Sequence, residues 1–452
     1  EEARFDYILG NPPFVGKQFQ NAEQKQDMDN VFAGVNAAGV LDYVTAWYIK
    51  AAQYMQGFMS TKTAFVSTNS ISQGEQVSIL WNELLNKHKI KIRFAHRTFN
   101  WSNEARGKAA VHVVIVGFAN QDSSDKKIYE YDDIRGEPHE VKVKNINPYL
   151  VDAKDILIKS RKQPISNVQE MINGSMPNDE GNLILSTEEK DELINKYPLT
   201  KTWIKNFVGA IEYLNNKERW CLWLKDIDPS ELRKYPEIKK RIDNVRNFRS
   251  NSTRVTTRKL ASYPALFGEI RQPDADYLIA PVVSSENRKY IPIAIYKKNI
   301  IASNLVNIIP KATLYTFGVL ISEMMMTWIK TIGGRLKSDW RFTKDNVYNN
   351  FPWPESPTEK QIKAVEEAAQ AVLDARTQFP NSSLADLYDP NTMPPVLAKA
   401  HQQLDKAVDL CYRPQPFPNE TKRIEFLFEL YDKYTAGLFV KEKKAPKKIS
   451  AK

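Results

Sequence analysis

Across residues 1 to about 120, short apolar runs alternate with segments whose apolar residues recur at helical spacing, a pattern that predicts an α/β unit. "FDYIL" (5–9), "TAFVSTNSI" (63–71), "KIRFAHRTF" (91–99) and "AAVHVVIVGF" (109–118) read as strands. "LDYVTAWYIKAAQYM" (41–55) and "EQVSILWNELLNKH" (75–88) read as helices. From 121 to 200 turn-forming and charged residues dominate, as in "NGSMPNDEGN", and a connecting segment is expected, with one hairpin in "DKKIYEYDDIRGEPHEVKVK" (125–144). Residues 201–356 mix short strands ("RWCLWL", "YLIAPVV", "IPIAIY", "IIASNLVNII") with one long apolar helix expected from Leu314 to Ile332, stopped by Gly333-Gly334. The proline cluster "NNFPWPESPTEK" (349–360) closes that region; 357–440 is expected to be mostly helical, and 441–452 forms a basic tail.

Composition narrows the class. Of 452 residues, 42% are hydrophobic and 26% charged, as in a water-soluble globular protein of several domains. The longest apolar run, about ten residues, is too short for a bilayer, and the acidic N-terminus has no secretory apolar region. Two distant cysteines, Cys221 and Cys411, imply no disulfide framework, so a cytoplasmic setting is expected. The net charge of +10 is unevenly placed: ten Lys or Arg lie between Arg233 and Lys259 against Glu237 and Asp243, and the tail adds six lysines. Clustered positive charge favours a polyanion, nucleic acid first among them, over a merely solvated basic face.

The candidate chemistry lies at Asn11-Pro12-Pro13-Phe14, directly after a strand. Two prolines end the strand, which puts Asn11 at a strand's carboxyl end, where open α/β sheets bind ligands. The Asn11 side-chain oxygen and the Pro12 carbonyl are two acceptors able to take both N–H bonds of an exocyclic amino group, leaving the nitrogen lone pair free to attack. Phe14 offers a flat face for a base drawn out of a duplex. The motif resembles that of amino-methylating DNA methyltransferases, especially the N6-adenine class, which use S-adenosylmethionine. Further segments, "LDYVTAWYIKAA", "TAFVSTNSI", "HRTFNWSNEARGKAAVHVVIVGF", "RWCLWL", "GRLKSDWRFTKDNVYNNFPWP" and "ADLYDPNTMPPVLAKAHQQLDKAVDLCY", resemble the MmeI-like enzymes, large bacterial proteins that join restriction and modification.

The resemblance implies the C-terminal half of a Rossmann-like class I methyltransferase sheet, then a mixed α+β target-recognition domain and a small C-terminal helical domain. It implies double-stranded DNA as partner and places Phe99 and Trp101 at the pocket of the flipped base, although both residues also suit an ordinary core. The family's glycine-rich cofactor loop has no counterpart before Asn11. The chain is therefore expected to be the C-terminal portion of a longer enzyme, inactive alone. Such enzymes usually carry a nuclease in their N-terminal part, and magnesium is expected only with one. Asp133 with Glu140-Val141-Lys142, and Asp228 with Glu237-Ile238-Lys239, have the acid–Glu-x-Lys form of a metal-dependent nuclease, a form that arises readily by chance in this composition. No metal site is expected, since the five histidines lack ligand spacing.

For DNA reading, Lys337 and Asp339 lie two apart, which in an extended segment puts both on one face. Lys can donate to guanine and Asp can accept from cytosine, so the couple suits one G·C pair; a surface ion pair is the plain alternative. By the resemblance, this place contributes to base choice. Arg335, Arg341, Arg246, Arg249 and Arg254 are assigned to the DNA backbone. The rival function is a DNA-binding specificity subunit without catalysis, which leaves Asn-Pro-Pro-Phe unexplained. Methylation of RNA or protein is a third reading; the long region resembling the MmeI-like recognition domain argues against it, and no RNA partner is expected.

Overall fold

The computed structural model describes residues 4–101 and 111–442. Residues 102–110 of the "HRTFNWSNEARGKAAVHVVIVGF" segment, and the basic tail beyond 442, lie outside the described residues. The alternating pattern of the first part builds a six-stranded mixed sheet: β1 (Tyr7–Gly10), β2 (Lys62–Thr68), β3 (Lys91–Trp101), β4 (Val111–Ala119), β5 (Lys126–Glu130) and β6 (His139–Val143), in the order β1-β2-β4-β3-β5-β6. β1, β2, β3 and β5 run one way, β4 and β6 the other. In β2 every second residue (Thr63, Phe65, Ser67) is buried, the period of a strand covered on that face. The covering helix, Thr45–Gly57, buries Tyr48, Ile49, Ala52 and Met55. Tyr48 stacks on Phe118 (5.2 Å between centroids) and its hydroxyl bonds Ser67 Oγ at 2.8 Å. The expected hairpin 125–144 forms, but it does more than connect: β5 pairs in parallel with β3, so the hairpin completes the sheet.

Beyond the six-stranded sheet, residues 172–341 carry two four-stranded sheets and a three-stranded one formed by Val283–Ser284, Asp339–Arg341 and Arg335–Leu336. The single helix expected from Leu314 to Ile332 is two helices, Leu314–Leu320 and Glu323–Ile332. Ser322 caps the second, and the Asp405 carboxylate accepts the Glu323 amide at 2.7 Å, so side chains outside the apolar pattern restart the helix. Helices Glu359–Thr377, Pro395–Tyr412 and Glu420–Glu442 close the chain. They pack against this pair through apolar contacts and an Arg423–Glu323 ion pair (3.4 Å), and a buried Asp409–Arg423 pair (3.1 and 2.8 Å) joins the last two of them to each other.

One hydrophobic core runs from the six-stranded sheet through residues 278–353 into the C-terminal helices, with two smaller cores under the recognition sheets. At the seam between sheet and recognition region, Gly74 donates its amide to the Ile332 carbonyl (3.1 Å) and Gln73 Nε2 donates to the Lys330 carbonyl (3.0 Å). Gly74 has φ +76°, and a Cβ there would lie 3.1 Å from Gly334 Cα. Both conditions call for glycine.

Candidate DNA-modification and target-reading site

β1 pairs with β2 from Tyr7↔Lys62 to Gly10↔Phe65 and stops at Asn11, as the prolines require. Asn11 is exposed, Pro12 buried, Pro13 exposed and Phe14 half-buried. Among the described residues the Asn11 side chain has no hydrogen-bond partner, so its oxygen and amide are available to a ligand. A cavity of about 660 Å³ lies along β1, lined by residues 7–13 together with Trp47, Lys50, Tyr54 and Phe65.

The loop beyond Phe14 is pinned. The Val15 carbonyl accepts from the Tyr43 amide (2.9 Å), and the Lys17 amide donates to Asp42 Oδ1 (3.2 Å). Asp42 Oδ2 accepts from Ser70 Oγ (2.7 Å) and the Asp42 amide donates to Gln76 Oε1 (2.9 Å). One carboxylate thus ties the loop after Asn11, the start of the Thr45–Gly57 helix and the loop after β2. Sequence reasoning missed Asp42; its only signal was an acid just before that helix.

Phe99 and Trp101 stand at the end of β3, three strand positions from β1 and so about 14 Å across the sheet, and they do not line the cavity beside Asn11. The β3–β4 ribbon overhangs there: Thr68, the last residue of β2, pairs with Val113, while β3 continues to Trp101. Phe99 stacks on Tyr131 (5.1 Å) and lies 6.1 Å from Trp101. His96 stacks on Tyr129 (4.3 Å) and its Nδ1 bonds the Tyr131 hydroxyl at 2.8 Å. Burial pushes the His96 pKa down, favouring the neutral ring.

The arginines divide. Arg246 and Arg254 are exposed; Arg246 pairs with Asp243 at 3.3 Å. Arg341 is exposed too. Arg249 is wholly buried, and its five N–H groups donate to the carbonyls of Asn178, Leu260, Tyr263, Pro177 and Leu266 at 2.7–3.1 Å. It is a structural hub with no donor left for a phosphate, which corrects its assignment to the DNA backbone. Arg335 is also committed: its guanidinium lies 3.6 Å over the Trp340 ring and 3.1 Å from Glu286 Oε2, with a side chain 11% exposed. Burial pushes its pKa down to about 10 against the pull of Glu286, so it stays charged at neutral pH. It too is a scaffold residue rather than a free phosphate ligand.

Lys337 and Asp339 are not on one extended segment. Leu336 and Asp339 close a hairpin whose tip is Lys337-Ser338, and Lys337 has φ +58°, the left-handed region. Lys337 is exposed; Asp339 is half-buried, its Oδ1 accepting the Glu286 amide at 3.3 Å. The pair is brought together by a turn, not by strand alternation.

The nuclease-like triplets are engaged elsewhere. Glu140 pairs with Lys127 (3.0 Å), Asp133 with Arg135 (3.4 Å), Glu237 with Lys196, and Asp228 caps a helix. Among the described residues no cluster of His, Cys, Asp and Glu could hold a metal, and no helix is long and apolar enough to cross a membrane. No glycine-rich turn follows any described strand of the six-stranded sheet, so the methionine end of S-adenosylmethionine finds no cradle among the described residues.

The sheet ending in Asn-Pro-Pro-Phe, followed by a recognition region, defines a DNA-methyltransferase domain joined to a target-recognition domain. Three family models match in that order: the MmeI DNA-methyltransferase domain over residues 1–130, the MmeI target recognition domain over 152–355 and the MmeI C-terminal domain over 357–439. The chain belongs to the MmeI family. It is 42% identical over 429 residues to DNA methyltransferase A of Bacillus subtilis (strain 168), covering 95% of this chain and 48% of that protein. It also resembles the solved structure of the type IIL restriction-modification enzyme MmeI in complex with DNA (52% identity, TM-score 0.83), covering 95% of this chain and 57% of that one. The chain thus spans about half the length of these relatives.

Proposed function

We propose that this chain supplies the amino-group-holding and target-reading parts of an enzyme that methylates adenine N6 at a specific site in double-stranded DNA, within a combined restriction–modification protein. The observation that carries the reading is the partner-free Asn11 amide at the carboxyl end of β1, next to the rigid Pro12 carbonyl. These two oxygens accept the adenine N–H bonds and so orient the nitrogen lone pair outward. Phe14 stacks on the base once it has left the duplex. S-adenosylmethionine supplies the methyl group when bound. Asp42 holds the loop that carries Phe14. Lys337 and Asp339 address one base pair from the hairpin tip, while Arg246, Arg254 and Arg341 contact phosphates.

The test is Asn11→Ala in the intact gene, with host DNA sequenced for N6-methyladenine. Because Asn11 is exposed and has no side-chain partner among the described residues, the variant should fold like the wild type and leave its target motif unmethylated. A motif still methylated in the variant, or no motif that depends on the wild-type gene, would defeat the reading. The second outcome would favour a specificity subunit without catalysis.

A further inference from the structure

The hairpin tip is held from an unexpected quarter. Glu286 lies in the loop after Val283–Ser284, the strand that pairs with Asp339–Arg341. Its amide donates to Asp339 Oδ1 (3.3 Å) and its carbonyl accepts from Trp340 Nε1 (3.4 Å). Its carboxylate holds Arg335 at 3.1 Å, and the same Arg335 Nη1 donates to the Ser338 carbonyl inside the turn (2.8 Å). On the far side these groups meet the methyltransferase sheet. Arg335 Nε lies 3.4 Å from Gln73 Oε1, in the loop after β2, and His112 Nε2 on β4 lies 3.7 Å from Glu286 Oε2.

We propose that Glu286 is a positioning residue for base readout, holding the Lys337–Asp339 turn in a fixed place relative to the methyltransferase sheet. The inference rests on the reading that this turn addresses a base pair. With Asp339 Oδ1 committed to the Glu286 amide, Oδ2 is the acceptor left for a cytosine amino group, and its direction is set by that bond. Lys337 has no partner among the described residues, so its reach is set by the turn beneath it, which Arg335 clamps through Ser338. Discrimination between bases needs the reading groups held to about half an ångström, and the clamp spans the seam through Gln73. Base reading and the placement of Asn11 are thereby tied to one frame.

The experiment uses the intact protein and measures methylation rates on the target duplex and on duplexes altered at the pair read by Lys337 and Asp339. In Glu286→Gln the target rate should stay within about threefold while discrimination at that pair falls about tenfold, the scale of one bidentate contact. Glu286→Asp should restore most of it. Gln73→Ala, remote from the tip, should weaken discrimination in the same direction. Exchanging Lys337 and Asp339 is run beside these. If that exchange leaves the recognised sequence unchanged, the readout reading itself fails. If it changes the base while Glu286→Gln and Gln73→Ala keep full discrimination, the positioning role is overturned. A uniform slowing on all duplexes also overturns it. Should Glu286→Gln not fold, the Gln73→Ala result decides.

Discussion

Arg249 separates two physical roles that a sequence alone confuses, and Arg249→Met tests them. Methionine keeps most of the buried stem and removes all five donors. Three of the five carbonyls have a second partner: Pro177 accepts from Gly268 (3.0 Å), Leu260 from Tyr263 (3.0 Å) and Tyr263 from Leu266 (3.1 Å). The carbonyls of Asn178 and Leu266 have no second hydrogen bond among the described residues. Stranding two buried acceptors at about 1–3 kcal/mol each gives a loss of about 2–6 kcal/mol, a large part of an ordinary domain's stability. Thermal and urea unfolding should show this loss, with hydrogen exchange rising first in residues 260–266. Below the variant's melting range, the salt dependence of DNA binding should match the wild type. A variant that melts like the wild type, but whose log–log salt slope drops by about 0.9, would show Arg249 to be a phosphate contact and refute the reasoning.

Arg246→Gln with Arg254→Gln should do the reverse, leaving melting unchanged and lowering the salt slope by about 0.9 per contact in binding titrations. Asp405 is buried, accepts the Tyr290 hydroxyl at 2.7 Å, and burial pushes its carboxyl pKa up to about 6. Since the folded value exceeds the unfolded one of about 3.9, its contribution is full below about pH 4 and is lost as pH rises through 6, by about 3 kcal/mol. Unfolding measured across that window should show the decline in the wild type and not in Asp405→Asn. Asp409→Ala leaves the buried Arg423 with Glu323 (3.4 Å) as its one remaining ion-pair partner among the described residues and should cost about 3–5 kcal/mol in urea unfolding.

Much of the sheet was legible because its physics is local. Thr63, Phe65 and Ser67 alternate, the hairpin at 125–144 has turn residues between two β-rich runs, and two prolines after "YILG" admit only a stop. The helix break at Ser322 was hidden because its flanks are apolar almost throughout, and one of its caps, Asp405, comes some eighty residues later. Lys337 misled because "RLKSDWR" alternates like a strand and a lysine is not an expected left-handed turn residue. Arg249 was readable in principle: it follows Ile238, Ile242 and Val245 at helical spacing, on the buried stripe of the helix Pro236–Ser250. Its charge outweighed its position. Asp42 and Glu286 act through folds of the chain that bring distant loops together, and no local pattern marks them.

The contact of Gly74 with Gly334 joins main chain to main chain, and that makes the seam indifferent to what the hairpin displays. If residues 337 and 339 read a base pair as proposed, their side chains could be exchanged over evolutionary time without a compensating change at the Gly74–Gly334 contact, and a lineage could move to new DNA words while its chemistry stayed in place. The same seam sets the limit of that freedom: a Cβ at position 74 would press on Gly334, three residues before the hairpin tip, and on the proposed reading would displace the reading groups together.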